Sequence, residues 1–345
     1  MPEGPELRLA GIFINQVASK FEFTGAVKKS DLATKLPEVP FEAETYGLHA
    51  QSRGKELKVF LHPTDDDVKK KSAKSKRVNN NQHEVKHLLF RFGMSGCFKL
   101  TSVDEIPKHA HLQFFTKSGN KVLCFVDYRR FGRWTINGEW GEDRGPDPID
   151  EYPDFRQNVL ENLDNAAFNR PICETLLNQK YFNGIGNYLR AEILYRLHIP
   201  PFTQSRSLLE PLKAMEDSKI KAENPDILDL CHLVPKEVLT LGGGKGYDVD
   251  HDPEEEQSFN NWLQCYYQDG MKNLVDGNGR TIWFDGPAGP MKPSNAKTRG
   301  KRVTKKESKK DHDYESPKKK VKKEPKEPKE ETSKPMRRST RKRSQ

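Results

Sequence analysis

The sequence lacks the cysteine pairs that a disulfide framework or a thiolate zinc site requires. It contains no CxxC pair, and its five cysteines stand far apart: Cys97, Cys124, Cys173, Cys231 and Cys265. This spacing argues against disulfides and against zinc held by cysteine, and it suits a reducing compartment. We therefore expect neither a metal nor a cofactor.

Long apolar runs are also missing. No stretch approaches the length of a membrane span, and the charges of Glu3, Glu6 and Arg8 are wrong for a signal peptide. We expect an intracellular, soluble protein that does not contact a membrane. Only 34% of the residues are hydrophobic, which is low for a chain that is globular throughout. Part of the chain is therefore expected to lie outside any core.

The net charge of +9 is distributed unevenly. Residues 291–345 contain 22 Lys and Arg against 8 Asp and Glu, which leaves 37 against 42 in residues 1–290. A nucleic-acid-binding face on the body must therefore be a local patch. The tail has no hydrophobic periodicity, which predicts disorder. Its SPKKKVKKEPK cluster resembles a nuclear import signal, so we expect the protein in the nucleus; the alternative is a solubilising charged tail.

Hydrophobic spacing divides the rest of the chain into two halves. Apolar residues at intervals of three and four from Leu7 to Phe21 predict an amphipathic helix. Short apolar runs from about Phe23 to Trp140 predict antiparallel sheet, with a polar and disordered loop at about 63–86. The helical period returns at Glu151. The prediction is an α+β fold with domains at 1–145 and 151–290, a cleft between them, and a tail at 291–345.

Five short motifs occur in a characteristic order. They are MPEGPE at the start, RGKEL at 53–57, RFGMSG at 91–96, DYRRFGRW at 127–134 and NGIGNYLRAEILY at 183–195. Together with GRTIWF at 279–284, they resemble the formamidopyrimidine/endonuclease VIII DNA glycosylases over roughly residues 1–290. The resemblance implies a leading helix with a two-sheet β-sandwich, and then a helical domain. That domain would carry a helix–two-turn–helix element and, at about 270–286, a hairpin that replaces a zinc finger (a zincless finger).

The second residue has its own chemical interest. Removal of Met1 would leave Pro2 with a free secondary amine, and α-amino groups titrate far below lysine. Attack of this amine on a sugar C1′ gives a permanently cationic imine, which acidifies the C2′ proton and favours loss of the 3′ phosphate. Glu3 would supply the proton that opens the sugar ring. The simpler alternative is that Pro2 and Glu3 only start a helix.

Other site residues follow from the resemblance. It implies a catalytic lysine at Lys55, in contact with the phosphate and the opened sugar, although a lone lysine is usually a surface charge. A glycosylase must also fill the hole that an extruded base leaves. The residues in the void-filling positions are Met94, Arg129 and Phe131, an apolar probe, a planar cation and a ring. The alternative makes Met94 a core filler and Phe131 a strand aromatic.

Further DNA contacts are implied at Arg53, His109, Arg130, Asn187, Lys245 and Arg280. Gly184 and Gly186 allow a turn before a helix that begins near Asn187, and the free N–H groups of such a helix form a seat for phosphate. Plain architecture is the alternative for this helical hairpin. Lys245 lies in the glycine-dense stretch LGGGKGYD as a candidate contact of the flipped base. Arg280 follows the GNG turn of the expected hairpin.

The sequence thus predicts a bifunctional DNA glycosylase and AP lyase of base excision repair. It would remove oxidised bases, mainly pyrimidines as the resemblance implies, through an imine on Pro2, and cut the strand by β- and δ-elimination. The expected partner is damaged DNA, whether duplex, bubble or single-stranded, and the tail is a candidate contact for other repair proteins. We expect a monomer. Two alternatives stay open: a non-catalytic binder of damaged or single-stranded DNA, and an enzyme that prefers oxidised purines.

Overall fold

The computed structural model describes residues 2–64, 85–214, 223–241 and 253–298, with side chains from residue 258 in the last range. The described residues all belong to one compact unit, Met1–Lys301. Most of the predicted loop at 63–86, most of the predicted tail, and Lys245 lie outside the described residues.

The first element is the helix α1, Gly4–Lys20, which begins directly after Glu3. Its first turn contains Pro5, and the Glu6 carboxylate accepts a hydrogen bond from the Glu3 N–H at 2.8 Å. Proline and an acid are both favoured at this end of a helix. The predicted apolar face of α1 is buried, and the helix packs against the β3 strand described below. The predicted N-terminal helix is confirmed.

Nine strands then form two antiparallel sheets in the described residues. The five-stranded sheet has the order β1-β3-β4-β5-β9, and the four-stranded sheet has the order β2-β7-β8-β6. The strands are β1 Phe23–Ala26, β2 Lys28–Lys29, β3 Glu42–Arg53, β4 Glu56–Pro63, β5 His87–Arg91, β6 Cys97–Ser102, β7 Ala110–Phe115, β8 Lys121–Val126 and β9 Arg133–Ile136. The predicted antiparallel sheet structure is therefore present, and β3 and β4 form a hairpin that turns at Gly54 and Lys55.

The apolar core of this half contains side chains from both sheets and from α1. The ring of Phe90, on the five-stranded sheet, lies 5.1 Å from those of Phe98 and Phe125, on the four-stranded sheet. Leu7 and Ile14 of α1 belong to the same buried cluster. Apolar contact across the sheets and the helix holds the strand ends in place, and these ends carry three of the motifs.

The second half is mainly helical. Its helices are α2 Tyr152–Glu161, α3 Ile172–Thr175, α4 Asn187–Arg196, α5 Ser205–Leu209, α6 Ile227–Thr240 and α7 Pro253–Trp262, and its strands β10 Lys272–Val275 and β11 Thr281–Phe284 pair as an antiparallel hairpin. These elements share a second buried apolar cluster, which includes Phe155, Leu189 and Trp283. The chain therefore has an α+β fold, as predicted, while the predicted domain boundaries stay predictions. Among the described helices, none combines the length and the hydropathy of a membrane-spanning segment.

Candidate active site

Three motifs that are distant in sequence meet at three glycines. The Gly4 N–H donates to the Gly184 carbonyl at 2.9 Å. A Cβ on Gly184 would lie 3.4 Å from the Gly4 Cα and 3.5 Å from the Gly54 Cα, so the three backbones approach without side chains between them. Gly184 and Gly54 also have φ values of +93° and +54°, which favour glycine. The motifs MPEGPE, RGKEL and NGIGN thus converge on one place.

Glu3 is buried at this meeting point, against the first turn of α4. Its carboxylate oxygens accept the N–H groups of Tyr188 at 3.0 Å and Leu189 at 3.3 Å. Burial raises the Glu3 pKa from 4.5 to about 7, although the Lys55 charge and these two N–H groups lower it. A carboxyl group with a pKa near neutrality exists in both protonation states there, as a proton donor must.

Glu6 is a second buried carboxylate in this region, which the sequence did not single out. It accepts hydrogen bonds from the Glu3 N–H at 2.8 Å and from the Tyr188 hydroxyl at 3.0 Å. These bonds tie the start of α1 to α4. Its charge also helps to raise the Glu3 pKa.

Lys55 lies in the turn between β3 and β4, half-buried, and its Nζ donates to the Ile185 carbonyl at 2.5 Å. Burial lowers its pKa from 10.5 to about 8; the Glu3 charge opposes this change, and the charges of Arg144 and Arg280 add to it. Near neutral pH, the Lys55 amine therefore loses its proton more readily than the amine of an exposed lysine does. Pro2, Glu3 and Lys55, predicted as the catalytic group, are brought together.

Pro2 and Lys55 line a cavity of about 230 Å³ with a cationic wall. Three arginines contribute to this wall: Arg91, Arg133 and Arg144. The sequence did not single them out: Arg91 and Arg133 lie inside quoted motifs, whereas Arg144 lies in a loop with no motif signal. The number of cations at one cavity is typical of a site that takes phosphate groups.

The buried carboxylate of Glu56 holds two of these arginines. It accepts the Arg91 Nε–H at 2.6 Å and lies 3.6 Å from the Arg144 Nε. Its other oxygen accepts the Gly141 N–H at 2.9 Å. Among the described residues, no cluster of His, Cys, Asp or Glu side chains is arranged to hold a metal ion.

The predicted void-filling residues lie on two loops that one carboxylate joins. Asp127 is buried, and it accepts hydrogen bonds from the Ser95 hydroxyl, from the Gly132 N–H at 2.6 Å and from the Arg129 N–H at 3.2 Å. A Cβ on Gly93 would lie only 2.6 Å from the Phe131 carbonyl carbon. The loops of RFGMSG and DYRRFGRW therefore form one unit, called the probe unit below.

The tips of both loops are exposed. Met94 is 41% exposed and Phe131 is 57% exposed, which argues against the alternative that they fill the core. The Arg129 guanidinium lies 5.1 Å from the centre of the Phe131 ring, within the range of a cation–π contact. Phe131 also lines the cavity of Pro2, so the two groups of predicted residues adjoin.

The other predicted DNA contacts occupy varied environments. Arg53 is engaged by the Glu151 carboxylate at 2.8 Å. His109 is half-buried with its ring 5.2 Å from that of Tyr128, and burial lowers its pKa. Arg130 is exposed in the left-handed region with a φ of +55°.

Two more predicted contacts lie on the helical half. Asn187 begins α4, and Arg280 is exposed in the β10–β11 turn. Arg280 and Asn178 line a second cavity of about 320 Å³. Lys245 lies outside the described residues. The structure therefore places Pro2, Glu3 and Lys55 together beside the probe unit, and Asn187 and Arg280 on the helical half.

Two family models and several known proteins match this chain. The family model of the formamidopyrimidine-DNA glycosylase N-terminal domain matches residues 1–134, and the model for the DNA-binding segment of endonuclease VIII-like 1 matches residues 257–293. The chain is 49% identical to Endonuclease 8-like 1 of Homo sapiens, over 88% of this chain and 77% of that protein. It is 48% identical to the Mus musculus protein, with the same coverage.

Solved structures show the same fold at low identity. The MutM (Fpg) protein of Thermus thermophilus has a TM-score of 0.55 and 21% identity, over 82% of this chain and 97% of that chain. Formamido-pyrimidine DNA glycosylase of Lactococcus lactis, bound non-covalently to DNA with an AP site, has a TM-score of 0.58 and 18% identity, with the same coverage.

Proposed function

The chain belongs to the formamidopyrimidine/endonuclease VIII family of DNA glycosylases, and on that premise we propose that Pro2, Glu3 and Lys55 carry out its reaction. The activity is that of a DNA glycosylase of base excision repair that also cleaves AP sites. One observation carries the assignment of residues. Glu3 is buried where three glycine-bearing motifs meet, beside the cavity that Pro2 and Lys55 line.

Pro2 is the nucleophile once Met1 is removed. Its amine forms a bond to the sugar C1′ as the glycosidic bond breaks, and the base leaves with the electron pair and takes up a proton. The C1′–O4′ bond then breaks as O4′ takes up a proton and the proline nitrogen loses its own, which opens the sugar ring and gives the iminium ion. This ion acidifies C2′; loss of that proton expels the 3′ phosphate, and a second elimination, with loss of a further proton, expels the 5′ phosphate. Water then releases the sugar remnant and restores the amine, so that the reaction balances without an oxidant or reductant.

Glu3 supplies the proton that opens the sugar ring, since its raised pKa keeps it partly protonated near neutrality. Lys55 contacts the phosphate and the opened sugar. The cationic wall of the cavity supports this contact, because charge-assisted hydrogen bonds to phosphate are strong.

The probe unit fills the hole left by the flipped nucleotide, with Met94, Arg129 and Phe131 as its tips. The exposure of the Met94 and Phe131 side chains and their fixed loops support this role. The remaining DNA contacts are Arg53, which must leave Glu151 to reach a phosphate, and His109, Arg130, Asn187, Lys245 and Arg280.

The finer points of fold and context belong to the same proposal. The two sheets form a β-sandwich, α3 to α4 form the helix–two-turn–helix element, and the β10–β11 hairpin is a zincless finger. The domains are 1–145 and 151–290. The protein acts as a monomer in the nucleus on oxidised bases, mainly pyrimidines, and the basic tail contacts other repair proteins.

Borohydride trapping tests the central step. The protein is mixed with an oligonucleotide that carries an abasic site or an oxidised pyrimidine, and borohydride then reduces any imine to a stable covalent adduct. Mass spectrometry of the N-terminus first confirms that Met1 is gone. We expect an adduct at Pro2 with wild type and none with a variant whose N-terminus is blocked. Equal trapping by the blocked variant would show that another amine is the nucleophile, and no trapping would favour a non-catalytic binder.

A panel of defined lesions tests the substrate preference. Oxidised pyrimidines and oxidised purines are compared as single-turnover excision rates in the same duplex. Faster excision of oxidised purines would overturn the pyrimidine preference without affecting the imine mechanism.

A further inference from the structure

A fully buried ion pair joins α4 to the β10–β11 turn. The guanidinium of Arg190 lies 2.7 Å from the Asp276 carboxylate, and neither side chain has exposed surface. The same guanidinium donates to the Cys173 carbonyl at 2.6 Å and to the Thr281 carbonyl at 3.1 Å. A buried ion pair is weak evidence for stability, because desolvation offsets the attraction, so its geometric consequence is of more interest.

Asp276 fixes the backbone of Arg280 from both sides. The carboxylate oxygen that is not paired with Arg190 accepts the N–H groups of Arg280 at 2.8 Å and Asn278 at 2.9 Å. The Asp276 N–H in turn donates to the Arg280 carbonyl at 2.8 Å. These hydrogen bonds close the loop between β10 and β11 at Arg280 and fix the backbone from which its side chain extends.

A second connection holds the same turn from α3. The Glu174 carboxylate accepts the Gly277 N–H at 2.7 Å and pairs with Arg170 at 2.6 Å. Arg170 also donates to the Asn278 side chain at 3.1 Å. The turn is therefore bound to two helices that pack in the helical core.

The helix that holds Asp276 also holds the proton donor. The N–H groups of Tyr188 and Leu189 bind the Glu3 carboxylate, and Arg190 is the next residue of α4. One turn of a helix thus contacts Glu3 at its N-terminal end and the β10–β11 turn through Arg190. The positive charge of Arg280 also helps to lower the pKa of Lys55.

We propose that Arg190 and Asp276 are positioning residues, which hold Arg280 at a fixed place relative to Glu3 and so set where Arg280 contacts a DNA phosphate. The proposal rests on the DNA contact assigned to Arg280 above. The ion pair and the backbone hydrogen bonds hold the turn to α4, the helix whose N–H groups bind the Glu3 carboxylate.

A double-mutant cycle tests the proposal on the full chain. Arg280→Ala, Asp276→Asn and the double variant are titrated with a duplex that carries a non-cleavable abasic-site analogue, over a series of salt concentrations. We expect Arg280→Ala to weaken binding about tenfold and to reduce the salt slope by about one, as the loss of one phosphate contact does. Asp276→Asn should show most of both changes, and the double variant should bind no worse than Arg280→Ala alone.

The matched control breaks another ion pair of the same half. Asp226→Asn removes the charge of one of the two carboxylates that pair with Arg156, at the start of α6; Asp226 lies 2.8 Å from the guanidinium and Asp229 lies 3.8 Å from it. The substitution should lower the melting temperature but leave the salt slope unchanged. An equal loss of slope in Asp226→Asn would show that Asp276→Asn acts through general destabilisation, and multiplying effects in the double variant would show that Asp276 acts independently of Arg280. Either result overturns the positioning role.

The cycle also separates the two levels of the proposal. If Arg280→Ala binds as wild type does, the assigned phosphate contact is wrong and the positioning role falls with it. If Arg280→Ala weakens binding and Asp276→Asn does not, only the positioning role is wrong. Glu174→Ala serves where Asp276→Asn does not fold, because it removes the acceptor of the Gly277 N–H and leaves the buried ion pair intact. It is expected to reduce the salt slope too, and an unchanged slope would overturn the proposal.

Discussion

A single methyl group at Gly186 is expected to displace Glu3, the proposed proton donor, and so to slow the reaction. Gly186 precedes α4 with a φ of −131° and a ψ of −156°, which any residue can adopt, so Gly186→Ala introduces no backbone strain. A Cβ at this position would lie 2.1 Å from the Glu3 Cδ and 2.3 Å from its Oε1. Non-bonded carbons prefer a separation of about 3.5–4.0 Å, so the carboxylate must move by roughly 1.4 Å or more.

This displacement breaks the contact between Glu3 and α4. The bonds from the Tyr188 and Leu189 N–H groups are 3.0 and 3.3 Å long, and a shift of that size takes both beyond hydrogen-bonding distance. General acid catalysis contributes about 10²–10⁴-fold to a rate. At about 1.36 kcal/mol per tenfold, the barrier should rise by about 3–5 kcal/mol.

The assay is single-turnover excision from a duplex at saturating enzyme, with a melting curve for each variant. Gly47→Ala is the matched control, since a Cβ on Gly47 meets no atom within 4 Å; it should keep the wild-type rate. The combination of Gly186→Ala with Glu3→Gln should be no slower than the slower single variant, because both remove one function. A folded Gly186→Ala variant that excises within twofold of wild type would refute the placement of Glu3.

Three more predictions concern the buried carboxylates Glu3, Asp127 and Glu6. With the protonated form of Glu3 as the proposed acid and its pKa raised from 4.5 to about 7, the single-turnover rate should fall as the pH rises through about 7. The free energy of unfolding should likewise fall between about pH 4.5 and 7, and Glu3→Gln should remove both slopes; a pH-independent rate would contradict the assignment. Asp127→Asn should loosen the probe unit and raise the KM for a lesion in duplex DNA more than for the same lesion in a single strand, so equal increases would argue against void filling. Tyr188→Phe removes the hydroxyl that donates to the buried Glu6 and should cost about 1–3 kcal/mol of unfolding free energy in a urea titration, whereas a cost near zero would show that this bond is replaced.

Local patterns were sufficient for the elements of the fold. The spacing from Leu7 to Phe21 predicts α1 because an amphipathic helix repeats every 3.6 residues, and the structure buries that face. Short apolar runs predict the strands, because a single strand spans only a few residues. The order in which the strands pair, in contrast, does not follow from local patterns. The sequence does not state that β9 lies beside β5 or that β2 lies beside β7, because those choices depend on the joint packing of both sheets and α1.

The candidate site shows the same division. The roles predicted for Lys55 and Met94 come from the resemblance of short motifs, which involve only the residues next to each of them. Arg144 has no such neighbours in sequence, and it reaches the cavity only because Glu56 and the fold of its loop bring it there. The three void-filling residues were predicted as separate positions, whereas Asp127 makes their two loops a single unit.

A reader of the sequence alone finds at its start a proline that can become an amino terminus and an acid beside it, and glycines in three separate motifs. Folding brings Gly4, Gly54 and Gly184 into contact, and a fourth glycine leaves room for Glu3 on α4. These contacts and their effects could not be predicted locally, because the pKa of a group and the reach of its side chain depend on burial and on distances to other residues. Burial moves Glu3 and Lys55 toward neutrality from opposite directions, and burial is a property of the folded chain.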